Sequence, residues 1–345
     1  MNISLDSIIQ LVQFIGGIAI LIFVHELGHF VTARLMRVEV EEFGFGIPPR
    51  MVRLFTAGGT LFSLNWLPLG GFVRFKGDND PGVPGGFAAA NPLSRLIVLF
   101  GGPFMNISLG ILLAAILYYN IGEPIVDQVR VEGISASSPA EAAGLEVGDL
   151  LLEVNRTPVQ NIENLQEMIY SNLGKPTELT YHRGGQVNTI TLVPRDPPPQ
   201  DGAIGILMGN PTRPTTWSKA IPSGFSLAYD YTRAVLAMPG RAMRGEVRPE
   251  ERPLGYKGMY DFYRALKDPL PFFMVISLSL GIFNLLPIPA LDGGRILFTL
   301  PEILFRRRVP PQFENVIHLV GFAVLIVLLI YINLLDFIDP VQIPR

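Results

Sequence analysis

The chain contains no cysteine, which excludes disulfides and thiolate ligands, so that any metal ion it bound would rest on nitrogen and oxygen donors alone. It is also poor in charge. Only 17% of its 345 residues are Asp, Glu, Lys or Arg, where average soluble chains carry about 25%, and 49% are hydrophobic. That balance argues against a single soluble domain. The net charge of −3 gives no reason to expect nucleic acid as a partner. The first residues lack the basic n-region and small-residue cleavage site of a secretory signal, so the opening apolar run is expected to remain as a membrane anchor. Histidine is scarce as well: there are four, and two of them stand four residues apart.

Those two belong to His25-Glu26-Leu27-Gly28-His29, set in an apolar run that begins at Ile8 and carries no formal charge as far as Val24. On a helix, positions four apart share a face, so both imidazoles can point at one ion while Glu26, beside the first, can reach a metal-bound water. This is the HExxH spacing of zinc peptidases. A carboxylate at the centre of a membrane helix costs roughly 2.5–3.5 kcal/mol on insertion scales. The plainer alternative, two core histidines bonded to a neighbouring helix, explains neither the Glu nor the spacing.

Four stretches are long and apolar enough to span a bilayer: 8–36, 96–121, 270–300 (interrupted by Pro287 and Pro289) and 316–335. The segment between the first two carries Arg34, Arg37, Arg50, Arg53, Arg74, Lys76 and Arg95, and the loop at 301–315 carries Arg306, Arg307 and Arg308. The positive-inside rule makes both cytoplasmic, which leaves the two termini and the long middle segment outside. Residues 38–94 read as extended chain that is broken at Pro48-Pro49, resumes at Thr60, and ends in a Gly/Pro-rich loop over 78–91. Such a sheet can either offer an edge to a substrate strand or merely pack on the membrane surface.

From 122 to 196 the chain becomes mixed and soluble in character. It reads as a strand, a short helix, a strand, an amphipathic helix over 160–172, and a hairpin turning at Gly184-Gly185. The run Ser138 to Asp149 closely resembles a PDZ domain of the bacterial type, which implies capture of an extended peptide or chain end, or else a steric plug. His182 falls in its hairpin as a surface residue. Pro197-Pro198-Pro199 marks a stiff linker that opens a stretch of interfacial amphipathic helices to 269, with a loop over 246–257.

The broken third span holds Asn284-Leu-Leu-Pro-Ile-Pro-Ala-Leu-Asp-Gly-Gly-Arg, 284–295. HExxH supplies two ligands and catalytic zinc usually takes three from protein, which makes Asp292 the candidate third. Its plainer reading is a helix cap before Gly293-Gly294. His318 is expected to pack or to bind a neighbour. Asn106, in Gly102-Pro-Phe-Met-Asn106, is expected to serve helix packing.

Together with Phe43-Gly-Phe-Gly, Leu67-Pro-Leu-Gly-Gly-Phe-Val and Gly245-Glu-Val, these motifs resemble the site-2 protease family of intramembrane zinc metalloproteases, in particular its bacterial regulator-of-sigma-E protease branch. The fold class implied is a mainly α-helical membrane protein with four transmembrane helices, a membrane-associated β-hairpin after the first, and one PDZ domain inserted between the second and third. The resemblance implies zinc on His25, His29 and Asp292, Glu26 as general base and acid, and Asn284 hydrogen-bonding the substrate or oxyanion. It further implies a bacterial inner-membrane location and single-pass membrane substrates such as anti-sigma factors or remnant signal peptides. Two features depart from the family pattern: a single PDZ region, and Pro253-Leu-Gly-Tyr-Lys257 where many relatives carry Gly-Pro-Ile/Val-Gly. Two other readings remain at this point. One is a membrane scaffold in which the PDZ domain recruits partners and the metal site is structural, which would need no base, or vestigial. The other is a transporter with broken helices, for which no internal repeat speaks.

Overall fold

A computed structural model describes residues 5–199, 201–247 and 252–339. The outermost residues of both termini and the middle of the loop expected over 246–257 lie outside the described residues. The chain forms two compact units, one of Met1–Leu117 with Ile221–Arg345 and one of Tyr118–Ala220.

The first unit opens with α1 (Leu5–Leu35), whose 31 residues rise about 46 Å and so exceed a hydrocarbon core of about 30 Å. Asp6 in its first turn and Arg34 in its last complement the helix dipole. Two long strands follow, β1 (Val40–Ala57) and β2 (Thr60–Phe75). They turn at Gly58-Gly59, where φ values of 57° and 82° suit glycine and give the tight hairpin its twist.

Here the structure departs from the sequence expectation. Pro48-Pro49 does not end the strand, which runs on to Ala57. The prolines lack N–H donors, and the pairing changes partners around them instead. Phe43 lies between Val73 and Phe62, and Leu64 between Phe45 and Val52, so the hairpin curls over itself. Segment 42–45 is flanked on both sides, while 71–75 borders α1. The bend is tied by buried Glu42, which accepts from Arg50 Nε at 2.8 Å and Ser63 Oγ at 2.7 Å. α2 (Pro92–Ile121) then packs closely on α1: a Cβ at Gly28 would fall 2.2 Å from the Gly101 carbonyl oxygen.

The second unit contains β3 (Glu123–Pro124), β4 (Val129–Ile134), α3 (Pro139–Ala142), β5 (Leu150–Val154), β6 (Thr157–Pro158), α4 (Ile162–Tyr170), β7 (Thr177–Arg183), β8 (Gln186–Leu192), β9 (Ile206–Gly209) and β10 (Thr212–Arg213). Its main sheet runs β8-β7-β5-β4-β9, with β6 on β5, while β3 and β10 pair separately. Alternate residues Val129, Val131, Leu151 and Leu179 point inward against Leu165 and Ile169 of α4. Burying each such side chain contributes about 1.5–3 kcal/mol. Ser138 caps α3 by accepting from Glu141 N–H, and the Glu141 carboxylate reaches back to Ser137 N–H.

The polyproline run at 197–199 does not open a linker. Beyond it the chain returns to the sheet, because β4 offers a free edge that β9 fills from Arg130↔Gly209 to Ile134↔Ile206.

The chain re-enters the first unit through α5 (Trp217–Met243) and continues with α6 (Tyr256–Ala265), α7 (Leu270–Leu285), α8 (Asp292–Phe305) and α9 (Pro311–Ile338). Among the described residues, three helices are long and apolar enough to cross a membrane: α1, α2 and most of α9. The apolar stretch expected over 270–300 is broken where Pro287 and Pro289 stand, into a 16-residue helix, a turn and a second helix. In the turn, Ala290 has a left-handed φ of 76°. Gly293 then lets α8 fold back over the end of α7, since a Cβ there would lie 2.1 Å from the Leu286 carbonyl oxygen.

In the second unit, buried Asp149 accepts from Arg183 Nε and NH2, each at 2.6 Å, and from Glu146 N–H at 2.9 Å. Burial by itself would raise the Asp149 pKa; the Arg183 hydrogen bonds and charge outweigh it and hold the carboxyl below its ordinary value. The stabilisation is therefore complete above the unfolded carboxyl's pKa near about 3.9 and is lost as pH falls through the lower folded value. Replacing Asp149 by Asn should cost about 1.5–3 kcal/mol, as for hydrogen bonds to a charged group. It should appear at neutral pH as faster hydrogen exchange in β5 and β7 of the full-length chain, with unchanged exchange arguing against the pair as a support.

Candidate metal centre

His25 and His29 lie one turn apart on α1, both buried, with Glu26 beside them. Asp292 is the first helical residue of α8. The N-cap position itself is held by Leu291, and Asp292 is the acidic residue of the first turn. The turn after α7 brings its carboxylate across to the histidines. His25 Nε2 is 3.0 Å from Asp292 Oδ2, His29 Nε2 is 3.2 Å from the same oxygen, and the two Nε2 atoms are 3.1 Å apart. Among the described residues this is the one His/Cys/Asp/Glu group placed to hold a metal ion.

The hydrogen bonds behind the rings show what that convergence requires. His29 Nδ1 donates to the Val98 carbonyl at 2.8 Å, which leaves Nε2 as a bare lone pair aimed at His25. His25 Nδ1 faces the Asn106 amide at 3.3 Å, and Asn106 Oδ1 is buried without a partner. A half-rotation of that amide lets Oδ1 accept from His25 Nδ1–H, which makes His25 Nε2 a lone pair too. In that tautomer three acceptors face one another, as the ligands of one metal ion would, whereas a proton on either Nε2 would instead be given to Asp292 Oδ2. A tetrahedral zinc with ligands at about 2.0–2.1 Å would separate its donors by about 3.3 Å, close to the observed edges.

Gly102 forms the floor. A Cβ there would sit 2.4 Å from His29 Nε2 and 2.7 Å from His25 Nε2, in the space an ion would use. The donor set, all imidazole and carboxylate, suits zinc.

These groups open on a cavity of about 260 Å³ that is also lined by Glu26, Asn284, Val73 and Arg295. The Glu26 carboxylate is within hydrogen-bonding reach of the Val73 backbone on β2. Asn284, in the last turn of α7, gives one amide hydrogen to the Leu280 carbonyl at 2.9 Å and keeps the other. All five site residues expected from the sequence thus border one cavity. His182 is on β7 of the second unit.

Two residues gained roles that the sequence reading did not assign. Asn106, read only as a helix-packing residue, stands behind His25; its placement four residues after Gly102 on the same helix was the available signal. Arg295, three residues past Asp292, places its guanidinium on the cavity and holds Asp78 Oδ1 and Oδ2 at 3.1 and 3.0 Å.

A model of peptidase family M50 matches residues 13–328. The chain belongs to peptidase family M50. The M50 chain is 30% identical over 331 residues to a Clostridium perfringens protein named "Putative zinc metalloprotease CPE1693", covering 93% of this chain and 96% of that relative. It is 31% identical over 345 residues to "Putative zinc metalloprotease Cj1068" of Campylobacter jejuni, covering 91% and 89%. It is 25% identical over 422 residues to zinc metalloprotease RasP of Oceanobacillus iheyensis, covering 93% and 97%. Family membership and these relatives make the chain a zinc metalloprotease, with apolar helices suited to a bilayer.

The Gly102 floor gives a direct test. Gly102→Ala should lower zinc affinity at least about tenfold, within the range seen when the groups supporting a site are disturbed. Metal analysis of the purified protein measures it, and an alanine variant with a full zinc complement would show that the ion lies elsewhere.

Proposed function

We propose that this M50 peptidase hydrolyses a peptide bond within or beside the transmembrane helix of a single-pass substrate in a bacterial inner membrane. The observation that carries the reading is that both halves of the metal-holding group stand on apolar chain. His25 and His29 lie on the long helix α1, and Asp292 follows directly on the 16-residue apolar α7. Four crossings, with α7 and its turn forming the third, would put the basic loops in the cytoplasm and the termini and the second unit outside. Anti-sigma factors and remnant signal peptides are substrates of the right kind.

Zinc would be held by His25, His29 and Asp292, and when bound it supplies Lewis acidity to a water and to the scissile carbonyl. Glu26 takes the proton from the attacking water and returns it to the leaving amine. The uncommitted amide hydrogen of Asn284 donates to the oxygen on which charge develops. A substrate helix hides its carbonyls in internal hydrogen bonds and must open locally first. Segment 71–75 flanks the cavity through Val73 and Phe75, and as the outer segment of the curled hairpin it can accept an opened strand.

For the second unit we read a PDZ domain that binds an extended peptide or chain end. β9 is the outermost strand of its sheet. A cavity of about 320 Å³ runs between the start of α4, at Asn161 and Glu163, and Asn210 just past β9. An edge strand beside a helix is what strand addition needs.

In liposomes carrying a single-pass substrate, Glu26→Gln should keep stoichiometric zinc and lose about 10²–10⁴-fold in cleavage rate, the usual contribution of a positioned acid–base group. Turnover at the wild-type rate would remove Glu26 from the mechanism. Asp292→Ala should be purified without stoichiometric zinc and without cleavage, whereas a scaffold with a vestigial site would hold no stoichiometric zinc in either form, and one with a structural site would not cleave even when loaded.

A further inference from the structure

The geometry assigns a part in the metal site to α9: His318 is a positioning residue whose Nδ1 clamps the turn that presents Asp292. The Ala290 N–H lies in that turn, outside both α7 and α8, and donates to His318 Nδ1 at 2.8 Å. Ala290 is a non-glycine residue in left-handed backbone conformation, with φ of 76°. Such a residue persists only where its surroundings hold it, at a cost of order 1–3 kcal/mol. Two residues further on stands Asp292.

The same face of α9 meets the turn at a second point. Gly321, three residues after His318, is so close that a Cβ there would fall 2.3 Å from Pro289 Cβ. The Phe298 ring of α8 packs edge-on against the imidazole, with centroids 5.6 Å apart. The turn is thus held by steric contact at Pro289 and by one hydrogen bond at Ala290.

The hydrogen bond also explains why the residue is histidine. An N–H donor at Nδ1 means that this nitrogen carries the lone pair and the proton resides on Nε2. Nε2 is buried without a hydrogen-bond partner among the described residues, 3.9 Å from Glu314 Oε1. A side chain chosen for packing alone would carry no such unpaired polar atom. Phenylalanine would fill the volume without it, so the useful property is the acceptor at the δ position.

The inference rests on the reading of Asp292 as a metal ligand, and the experiment separates the two. His318→Asn keeps an acceptor near the Nδ1 position and discards the rest of the ring. His318→Phe keeps a ring and discards the acceptor. The full-length proteins are compared by transfer of bound zinc to a competing chelator, beside Asp292→Ala. The asparagine variant should hold zinc within a few-fold of wild type, and the phenylalanine variant about 10–100-fold more weakly, the range found for groups that orient ligands. If the phenylalanine protein does not fold, His318→Leu takes its place. Zinc held by the acceptor-free variant as tightly as by the asparagine variant, or more tightly, overturns the clamp. Wild-type zinc affinity in Asp292→Ala would instead overturn the ligand reading on which the clamp depends.

Discussion

Two imidazole nitrogens and a carboxylate oxygen in mutual contact set the constraint around which this chain is built. The His25 and His29 Nε2 atoms and Asp292 Oδ2 lie within 3.2 Å of one another, and the proton on the far side of His29 is committed to a backbone carbonyl. A metal ion held there would make the same three atoms a cross-link between the N-terminal and C-terminal parts of the chain, 267 residues apart for the His25–Asp292 contact. Metal binding at these residues would therefore be coupled to assembly of the helical unit.

Close approach is achieved by omitting side chains. Gly28 faces the Gly101 carbonyl, Gly102 leaves room beneath the imidazoles, and Gly281 of α7 sits against the Pro103 carbonyl and Ile107 of α2. In lipid, where apolar contact with a neighbouring helix is no better than contact with the solvent, association depends on such packing and on hydrogen bonds between helices. Ser277 Oγ donating to the Asn106 carbonyl at 2.8 Å is one of these. It joins α7 to the residue that stands behind His25, so the packing of three helices and the orientation of a ligand share one polar chain.

What the sequence made legible was local. The four-residue spacing of His25 and His29, the absence of charge before them, and the glycine pair at 184–185 each dictate conformation within a few residues. The pairing of Asp292 with the histidines was reachable through the count of ligands that zinc requires. What escaped was long-range: segment 42–45 taking neighbours on both sides, and β9 returning past three prolines to fill the edge of β4. Neither leaves a periodic trace, because an edge is filled by whichever strand the turns deliver to it. The contact of His318 with Ala290 was equally hidden. It depends on how a turn of left-handed backbone meets a helix begun 21 residues later, and the amino-acid types disclose only that a histidine occupies an apolar face.

The placement of the hairpin bears on how an intramembrane peptidase reaches its bond. A transmembrane helix opened over one turn frees about four donors and four acceptors, and each left bare in hydrocarbon costs several kcal/mol. That sum would exceed what a metal centre alone could return. A strand edge beside the reactive groups changes the balance, since the freed groups exchange one set of backbone hydrogen bonds for another. Segment 71–75 lies on the same cavity as Glu26, with Val73 and Phe75 in its wall. A Cβ at Gly71 would come within 3.3 Å of the Glu26 side chain, so the edge and the general base lie in contact range of each other. An opened segment paired there would present its carbonyls in extended conformation, one residue at a time, to an acid that is already in place. On this argument the hairpin is part of the chemistry, because it makes the unwound substrate affordable where the metal site stands.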